Sequence, residues 1–215
     1  MTGTALVVVD DEHGNGHLVR GRALASELCS RGWRVETTNQ LGPVEVDLLI
    51  VDGQMKWPQW HEANVACRTA KVVGILDFPQ GLQGWDMVVC GTAHDGAWGR
   101  PGDLVGPRYA VLRPEFAKWG ALKDIARTTP LLDVRNIDGR SANDLAEAMR
   151  RAQVVLTYAG MRAMEAACCG ADLALMARNE GETLNAIGLL RARRPVIDGL
   201  GCKRVADQLE TLCQA

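Results

Sequence analysis

Two histidines, four residues apart, stand in the segment DDEHGNGHLVR, residues 10–20, directly after an apolar run. An imidazole has a pKa near 6.5, so His17 is suited to take a proton from a hydroxyl group or a water molecule at neutral pH. On a helix, His13 and His17 would share one face as zinc ligands, with oxygen ligands from residues 10–12. A third interpretation is that His17 only caps a helix.

Gly14 and Gly16 separate the two histidines and favour a loop, so we expect no shared helical face and no metal site. A glycine-rich turn between a strand and a helix presents backbone N–H groups and the positive end of the helix dipole to an anion. We interpret both glycines as positions where the backbone approaches a ligand closely or adopts a positive φ. The segment lacks the third glycine of a dinucleotide fingerprint and the lysine of a Walker A loop, which argues against both.

The elements that must position this segment alternate between strands and helices. Apolar runs predict strands at 4–10, 33–37, 47–53, 71–78 and 86–91, with a short helix at 58–70. The helix after the first strand ends at Gly32. Its apolar positions are Leu18, Ala25, Leu28 and Cys29. This alternation predicts a doubly wound α/β sheet.

A Gly/Pro-rich stretch at 94–116 interrupts the alternation and is predicted to be a linker. A second α/β unit follows. Its predicted strands are 130–134, 153–160 and 171–177, and its predicted helices are 141–152, 161–170, 182–194 and 203–215. The N-cap of the first of these helices is either Ser141 or Asn143.

Composition limits the class of protein. The chain has 215 residues, of which 47% are hydrophobic, and no apolar run approaches the roughly 20 residues that span a bilayer. The acidic N-terminal region does not resemble a signal peptide, so we predict a cytoplasmic protein without a membrane span. The 7 cysteines form no C-x-x-C pair, which favours free thiols.

Charge is distributed unevenly along the chain. Residues 1–107 carry 8 Lys and Arg against 13 Asp and Glu, whereas residues 108–215 carry 16 against 13. A basic second half suits an anionic ligand such as a nucleotide diphosphate, although a solvated arginine-rich helix face would give the same count.

The pattern G-x-G-H-x-x-R-x-x-x-L-A-x-x-L, from Gly14 to Leu28, resembles the GT-B nucleotide-sugar enzymes. Within this group, the pattern most resembles two enzymes: the UDP-sugar hydrolase of pseudaminic acid biosynthesis and the glycosyltransferase that forms peptidoglycan lipid II. Further segments agree in the same order along the chain, at 48–53, 74–78, 106–116 and 154–186. The glycine-rich loop that usually follows the first strand of the second domain is not visible here.

The resemblance implies two Rossmann-like domains facing across a cleft. Residues 1–112 would hold the acceptor and the catalytic base, His17, and residues 113–215 would form a shortened nucleotide-sugar-binding domain. The last helix would belong to the second domain or pack back on the first. The implied nucleotide-sugar-binding residues are Gly14, Gly16, Arg113, Gly160, Met161, Arg162, Glu165 and Asn185.

Roles within that set follow from the same resemblance. Gly160 to Arg162 would open a helix that receives the diphosphate, with Arg113 or Arg162 pairing with it. Glu165 would bind the ribose hydroxyls and Asn185 would lie near the sugar. Without the family pattern, Glu165 is interpreted as a solvated helix residue.

We therefore expect an inverting, metal-independent glycosyltransferase that uses a nucleotide-diphosphate sugar, taken as UDP-linked, and no cofactor. The acceptor class stays open between a small molecule, a glycan and a hydroxylated nucleic-acid base. The sequence offers no aromatic-rich basic patch for nucleic acid. The alternatives are a hydrolase that releases the free sugar and a non-catalytic nucleotide-sugar-binding protein; the presence of His17 favours an enzyme.

Overall fold

The structure is a computed structural model that describes residues 3–10, 15–40, 45–53, 71–77, 84–92, 99–122, 125–137, 139–191 and 197–214. The chain divides into two compact units. Unit 1 comprises Met1–Cys90, Trp98–Val105 and Cys202–Ala215, and unit 2 comprises Gly91–Ala97 and Gly106–Gly201. The C-terminal residues therefore belong to the unit that contains the N-terminus.

Unit 1 is built on a six-stranded parallel sheet. Its strands are β1 (Thr4–Val9), β2 (Arg34–Thr38), β3 (Leu48–Asp52), β4 (Lys71–Ile75), β5 (Met87–Cys90) and β6 (Leu104–Val105), in the order β2-β1-β3-β4-β5-β6. Nearly every residue of β1, β3, β4 and β5 is buried, as parallel strands covered on both faces require. The predicted α/β class is confirmed, with a Rossmann-like arrangement of parallel strands.

The strand β6 lies inside the stretch 94–116 that we predicted to be a linker, so that prediction is wrong for these residues. Leu104 and Val105 pair in parallel with Val89 and Cys90 of β5. A strand of two residues carries no hydrophobic period, and its neighbouring glycines and prolines dominate the pattern.

Among its described residues, unit 1 contains the helices α1 (Asn15–Ser30) and α6 (Gly201–Gln214). The residues of α6 from Cys202 onward belong to this unit. Leu24 and Leu28 of α1 are fully buried, as is Leu209 of α6. Cys29 is exposed, so its predicted place on the apolar face is wrong. It stands about 140° around the helix from Leu24, beyond the edge of the buried stripe.

Unit 2 is built on a three-stranded parallel sheet, β7 (Thr129–Asp133), β8 (Ala152–Tyr158) and β9 (Asp172–Met176), in that order. Its helices are α2 (Pro114–Ala121), α3 (Ala142–Arg151), α4 (Met161–Cys168) and α5 (Glu180–Arg191). Ser141 is the N-cap of α3, because its side chain accepts a hydrogen bond from the Asp144 N–H. The core includes Phe116, Met149, Val155, Met164 and Leu189.

Six of the seven cysteines lie within the described residues, and none of these six is in a disulfide bond. Burial raises the pKa of Cys168 and of Cys169 to about 12 in each case, so both remain neutral thiols. The seventh, Cys67, and the predicted helix at 58–70 lie outside the described residues.

Within the described ranges, none of the helices combines enough length with enough apolar character to cross a membrane.

Candidate functional site

His17 lies in the first turn of α1, the helix that follows β1. Its side chain is 12% exposed, and its Nδ1 atom is 2.9 Å from Oδ1 of Asp52, the last residue of β3. The adjacent parallel strands β1 and β3 end at the same edge of the sheet. Open α/β sheets bind ligands at this carboxyl edge, and the structure thus brings His17 to it.

The hydrogen bond to Asp52 fixes which nitrogen of His17 carries the proton. Nδ1 lies 2.9 Å from Asp52 Oδ1, which only accepts hydrogen bonds, and 3.1 Å from Arg20 Nη2, which only donates. The closer contact, to the buried carboxylate, assigns the proton to Nδ1, and the neutral ring then has its lone pair on Nε2. None of the described residues forms a hydrogen bond with Nε2. The ring is therefore held in the tautomer that a general base requires.

Arg20, one helical turn after His17, connects Asp52 to a second carboxylate. Its Nε and Nη2 atoms donate to the two oxygens of Asp52 at 2.8 and 2.5 Å, and Nη1 donates to Asp77 Oδ1 at 2.6 Å. Arg20 is buried and the Asp52 side chain is fully buried, whereas Asp77 is 28% exposed. Asp77 follows β4, so the cluster combines residues at the ends of β3 and β4 with two residues of α1, the helix that follows β1.

The charges of this cluster favour a protonated His17. Two carboxylates and one guanidinium sum to one negative charge, which an imidazolium neutralises. Burial lowers the pKa of His17, but the hydrogen bond to Asp52 and the charges of Asp52 and Asp77 outweigh burial and the opposing charge of Arg20. The resulting pKa lies above 6.5. The site thus stabilises the imidazolium that forms when His17 accepts a proton.

Two glycines allow these side chains to meet. A Cβ atom on Gly21 would lie 2.4 Å from Val9 Cγ1, so the absence of a side chain lets α1 pack closely against β1. Gly53 has a φ of 147°, and its Cβ would lie 2.3 Å from Asp10 Cβ. Glycine at 53 lets the chain turn immediately after Asp52 without displacing Asp10.

The remaining residues of the first loop are only partly described. Gly14 and His13, with the acids at 11 and 12, lie outside the described residues. Gly16 belongs to the first turn of α1, has no positive φ, and has open space where a Cβ would stand. We proposed either a positive φ or a close approach of a ligand as the reason for a glycine at 16. Because the φ is not positive, the close approach of a ligand stays the prediction. Within the described ranges, no three His, Cys, Asp or Glu side chains are grouped to hold a metal ion.

Unit 2 contains a second polar cluster, centred on Glu165 of α4. Glu165 is 1% exposed, so it is not the solvated residue that helix periodicity alone suggests. Its Oε1 atom accepts a hydrogen bond from Arg113 Nε at 2.9 Å, and it lies 2.8 Å from Arg113 Nη2 in the same ion pair. Burial raises the pKa of Glu165, and the positive charge of Arg113 opposes that rise. Arg113 is thus committed to Glu165 instead of standing free for a diphosphate.

Three buried side-chain atoms near this ion pair have no hydrogen-bond partner among the described residues. They are Glu115 Oε2, Arg162 Nη1 and Glu165 Oε2. Arg162 is held through its Nη2 atom, which donates to the Ile137 carbonyl at 3.1 Å. Buried polar groups in folded proteins are nearly always paired, so these three atoms are exceptions to that rule.

The start of α4 carries the residues expected to receive a diphosphate. Gly160 is the N-cap of α4 and provides no side-chain cap, and Met161 packs its side chain against the unit 2 core. A Cβ on Gly160 would lie 3.8 Å from Glu182 Oε1. Glu182 is paired with Arg178 at 2.5 Å, which offsets its negative charge beside the helix N-terminus.

Asn185 of α5 is 4% exposed, and its Nδ2 atom donates to the Ala159 carbonyl at 2.5 Å. This bond connects α5 to the turn that precedes α4. The Arg178 guanidinium lies 4.5 Å from the centroid of the Tyr158 ring, at the carboxyl end of β8. Asn185, Arg178 and Glu182 therefore surround the same helix start.

The sequence patterns predicted no functional role for several residues of the two clusters. These are Asp52, Asp77, Glu115, Arg178 and Glu182. For the two aspartates a signal exists, because each follows the apolar residues of a central strand, in VDG and in LDF. Acids at the carboxyl ends of neighbouring parallel strands meet at one edge of the sheet. For the glutamates, no comparable pattern is visible.

No protein-family model matches the chain, and no curated protein sequence matches it either.

Proposed function

We propose that the protein is an inverting, metal-independent glycosyltransferase of the GT-B kind that uses a nucleotide-diphosphate sugar. His17 would remove the proton of an acceptor hydroxyl as the oxygen attacks the anomeric carbon, and the nucleotide diphosphate would leave. The observation that carries the proposal is the 2.9 Å hydrogen bond from His17 Nδ1 to the buried Asp52, which leaves Nε2 to act as the base.

The donor is proposed to bind unit 2. Support comes from Glu165, a buried carboxylate with one unpaired oxygen, and from the uncapped start of α4 at Gly160. Because Arg113 is paired with Glu165, the diphosphate is proposed to rest on the backbone N–H groups at the start of α4. The GT-B arrangement, with domains 1–112 and 113–215, a UDP-linked donor and a cytoplasmic location remain part of this proposal.

A nucleotide-sugar hydrolase is the second candidate. It is favoured by the small exposure of the His17 side chain, 12%, because water reaches an enclosed imidazole more readily than a bulky acceptor does. Only the transferase needs an acceptor other than water. Its acceptor is a small molecule, a glycan or a hydroxylated nucleic-acid base.

One experiment tests both candidates. The protein is incubated with a panel of nucleotide sugars, and release of nucleotide diphosphate is measured with and without acceptors from each class. Release that depends on an acceptor and is lost in His17→Ala supports the transferase. Release without an acceptor, also lost in His17→Ala, supports the hydrolase.

The matched control is His13→Ala, which changes the neighbouring histidine of the same loop. Full activity of this variant excludes a general effect of losing an imidazole there. Binding of a nucleotide sugar without any turnover would support a non-catalytic binding protein, and absence of all binding would contradict the proposal.

A further inference from the structure

Helix α5 of unit 2 exposes large apolar side chains on the side that faces away from the core of the unit. Leu189 lies on the buried side of the helix and belongs to that core. Leu184, Ile187 and Leu190 are instead 44%, 40% and 63% exposed. The solvent side of a surface helix is normally lined by polar side chains, so three large aliphatic residues there need a separate explanation.

These three residues form one continuous stripe. Successive residues of an α-helix are about 100° apart, so a spacing of three residues moves a side chain by only about 60° around the axis. The stripe therefore covers an arc of about 120° centred on Ile187, which is about 160° from the buried Asn185. Single exposed leucines are common on protein surfaces, whereas a contiguous exposed apolar stripe indicates a contact surface.

The stripe lies at an edge of unit 2. Helix α5 follows β9 and contacts it. Strand β9 is an edge strand, since among the described residues it pairs only with β8. The exposed side of α5 is therefore placed where a second molecule can approach it.

The stripe is arranged symmetrically along the helix. Leu184 and Leu190 stand three residues before and three residues after Ile187. When two copies of α5 pack antiparallel about a two-fold axis at Ile187, Leu184 of each copy meets Leu190 of the other, and the two Ile187 side chains meet each other. One surface then fits itself, as the isologous interface of a symmetric dimer requires.

The charges at the two ends of α5 favour the same arrangement. Glu180 is exposed in the first turn and Arg191 is exposed in the last turn. They are 11 positions apart, so they lie within about 20° of each other around the helix, on the side of the stripe. In the antiparallel pair, Glu180 of one copy is about 4.5 Å along the axis from Arg191 of the other, within reach of an arginine side chain. A parallel pair would place like charges together.

We propose that the stripe of Leu184, Ile187 and Leu190 is a self-association surface, through which two copies of the chain form a symmetric dimer with antiparallel α5 helices. This dimer does not depend on the proposed function. A standard interface buries about 800 Å² on each partner, and a stripe of about two helical turns offers less. The dimer is therefore expected to be weak, with a dissociation constant in the micromolar range.

Sedimentation equilibrium of the full chain, from low micromolar to several hundred micromolar protein, tests the dimer. The average mass of the wild type should rise with concentration toward twice the mass of the chain. Leu190→Glu places an unpaired charge in the stripe and should weaken dimerisation about 10-fold or more. The matched control is Leu131→Glu, which changes a 56% exposed residue of β7 at the opposite edge of the sheet. It should leave the dissociation constant unchanged.

Two charge variants test the antiparallel arrangement. Glu180→Arg places an arginine beside Arg191 of the second copy, and Arg191→Glu places two glutamates together, so each variant should weaken dimerisation. The double variant exchanges the two charges and should recover it. High salt should reduce the differences among the three variants, because it screens exposed charges.

A chain that stays monomeric at every concentration overturns the proposal. So does a monomer in which Leu190→Glu lowers the free energy of unfolding, since the stripe is then covered within the chain itself. A dimer that Leu190→Glu leaves intact overturns the assignment of the surface. Failure of the double charge variant to recover dimerisation overturns the antiparallel arrangement.

Discussion

The Nδ1 atom of His17 and the Oδ1 atom of Asp52 are 2.9 Å apart, although 35 residues separate them in the sequence. Asp52 has no exposed side-chain surface, and both its oxygens accept from Arg20. The carboxylate is thereby fixed in position and orients the imidazole. This relationship makes the acid–base properties of His17 dependent on Asp52 and Arg20.

The substitution Asp52→Asn is expected to abolish most of the activity while the protein stays folded. The Asn oxygen would accept from Arg20 Nε, and the amide nitrogen would take the place of Oδ1. It would donate to His17 Nδ1, move the ring proton to Nε2 and deprive Arg20 Nη2 of one acceptor. The base would then be in the wrong tautomer, for which a loss of about 10³- to 10⁴-fold is typical. Nucleotide diphosphate release measures the loss, and ¹⁵N chemical shifts of the imidazole report the tautomer. An active Asp52→Asn variant would contradict the assigned role.

The pH dependence of the reaction should follow the raised pKa of His17. A general base must be unprotonated, so kcat/KM should rise with pH through a midpoint above 6.5. Asp77→Asn removes one negative charge that favours the imidazolium, and this midpoint should move to lower pH. Asp207→Asn, which changes an exposed acid of α6, should leave the midpoint in place. An NMR titration of His17 gives the same comparison without a substrate.

The raised pKa of His17 also makes the stability of the protein depend on pH in a defined direction. The pKa of His17 is higher in the folded than in the unfolded protein, so protonation of His17 stabilises the fold. This contribution is fully present below about pH 6.5 and is lost as pH rises through the folded-state pKa. Urea unfolding of wild type and Asp77→Asn across this range should show a smaller pH dependence in the variant.

A methyl group at Gly21 should disturb the site through the packing of α1. The added Cβ would stand 2.4 Å from Val9 Cγ1, and overpacking of this kind costs about 1–3 kcal/mol, partly offset by the better helix propensity of alanine. Gly21→Ala should lower the free energy of unfolding and the activity together. Gly16→Ala meets nothing within 4 Å and should leave stability unchanged while raising KM for the nucleotide sugar. Equal stability losses in both variants would contradict this explanation.

Arg31 should contribute to holding α6 in unit 1. Its guanidinium donates to Glu27 at 2.9 Å, to Asp207 at 2.7 Å and to Glu210 at 3.0 Å. Exposed ion pairs contribute about 0.2–1 kcal/mol each, so Arg31→Ala should cost about 1–2 kcal/mol in urea unfolding at low salt, and less at high salt. Arg151→Ala breaks a single exposed pair with Glu147 and should cost about 0.5 kcal/mol or less.

The sequence by itself determined the elements of the fold. Continuous apolar runs are typical of strands buried on both faces, and they predicted β1, β3, β4, β5 and β8, because such strands must exclude water along their whole length. The segment around His17 was also visible, since glycine and histidine between a strand and a helix form a local pattern. Short β6 was missed because two residues carry no period.

Only the tertiary structure decided which polar residues act together. Asp52 and Asp77 are 25 residues apart and looked like ordinary ends of strands until parallel pairing brought them to one edge beside Arg20. Glu165 resembled a solvated helix residue, yet the packing of α2 on α4 buries it with Arg113 and Glu115. A hydrogen bond depends on positions in space to within a few tenths of an ångström, and no local pattern in the chain carries that information.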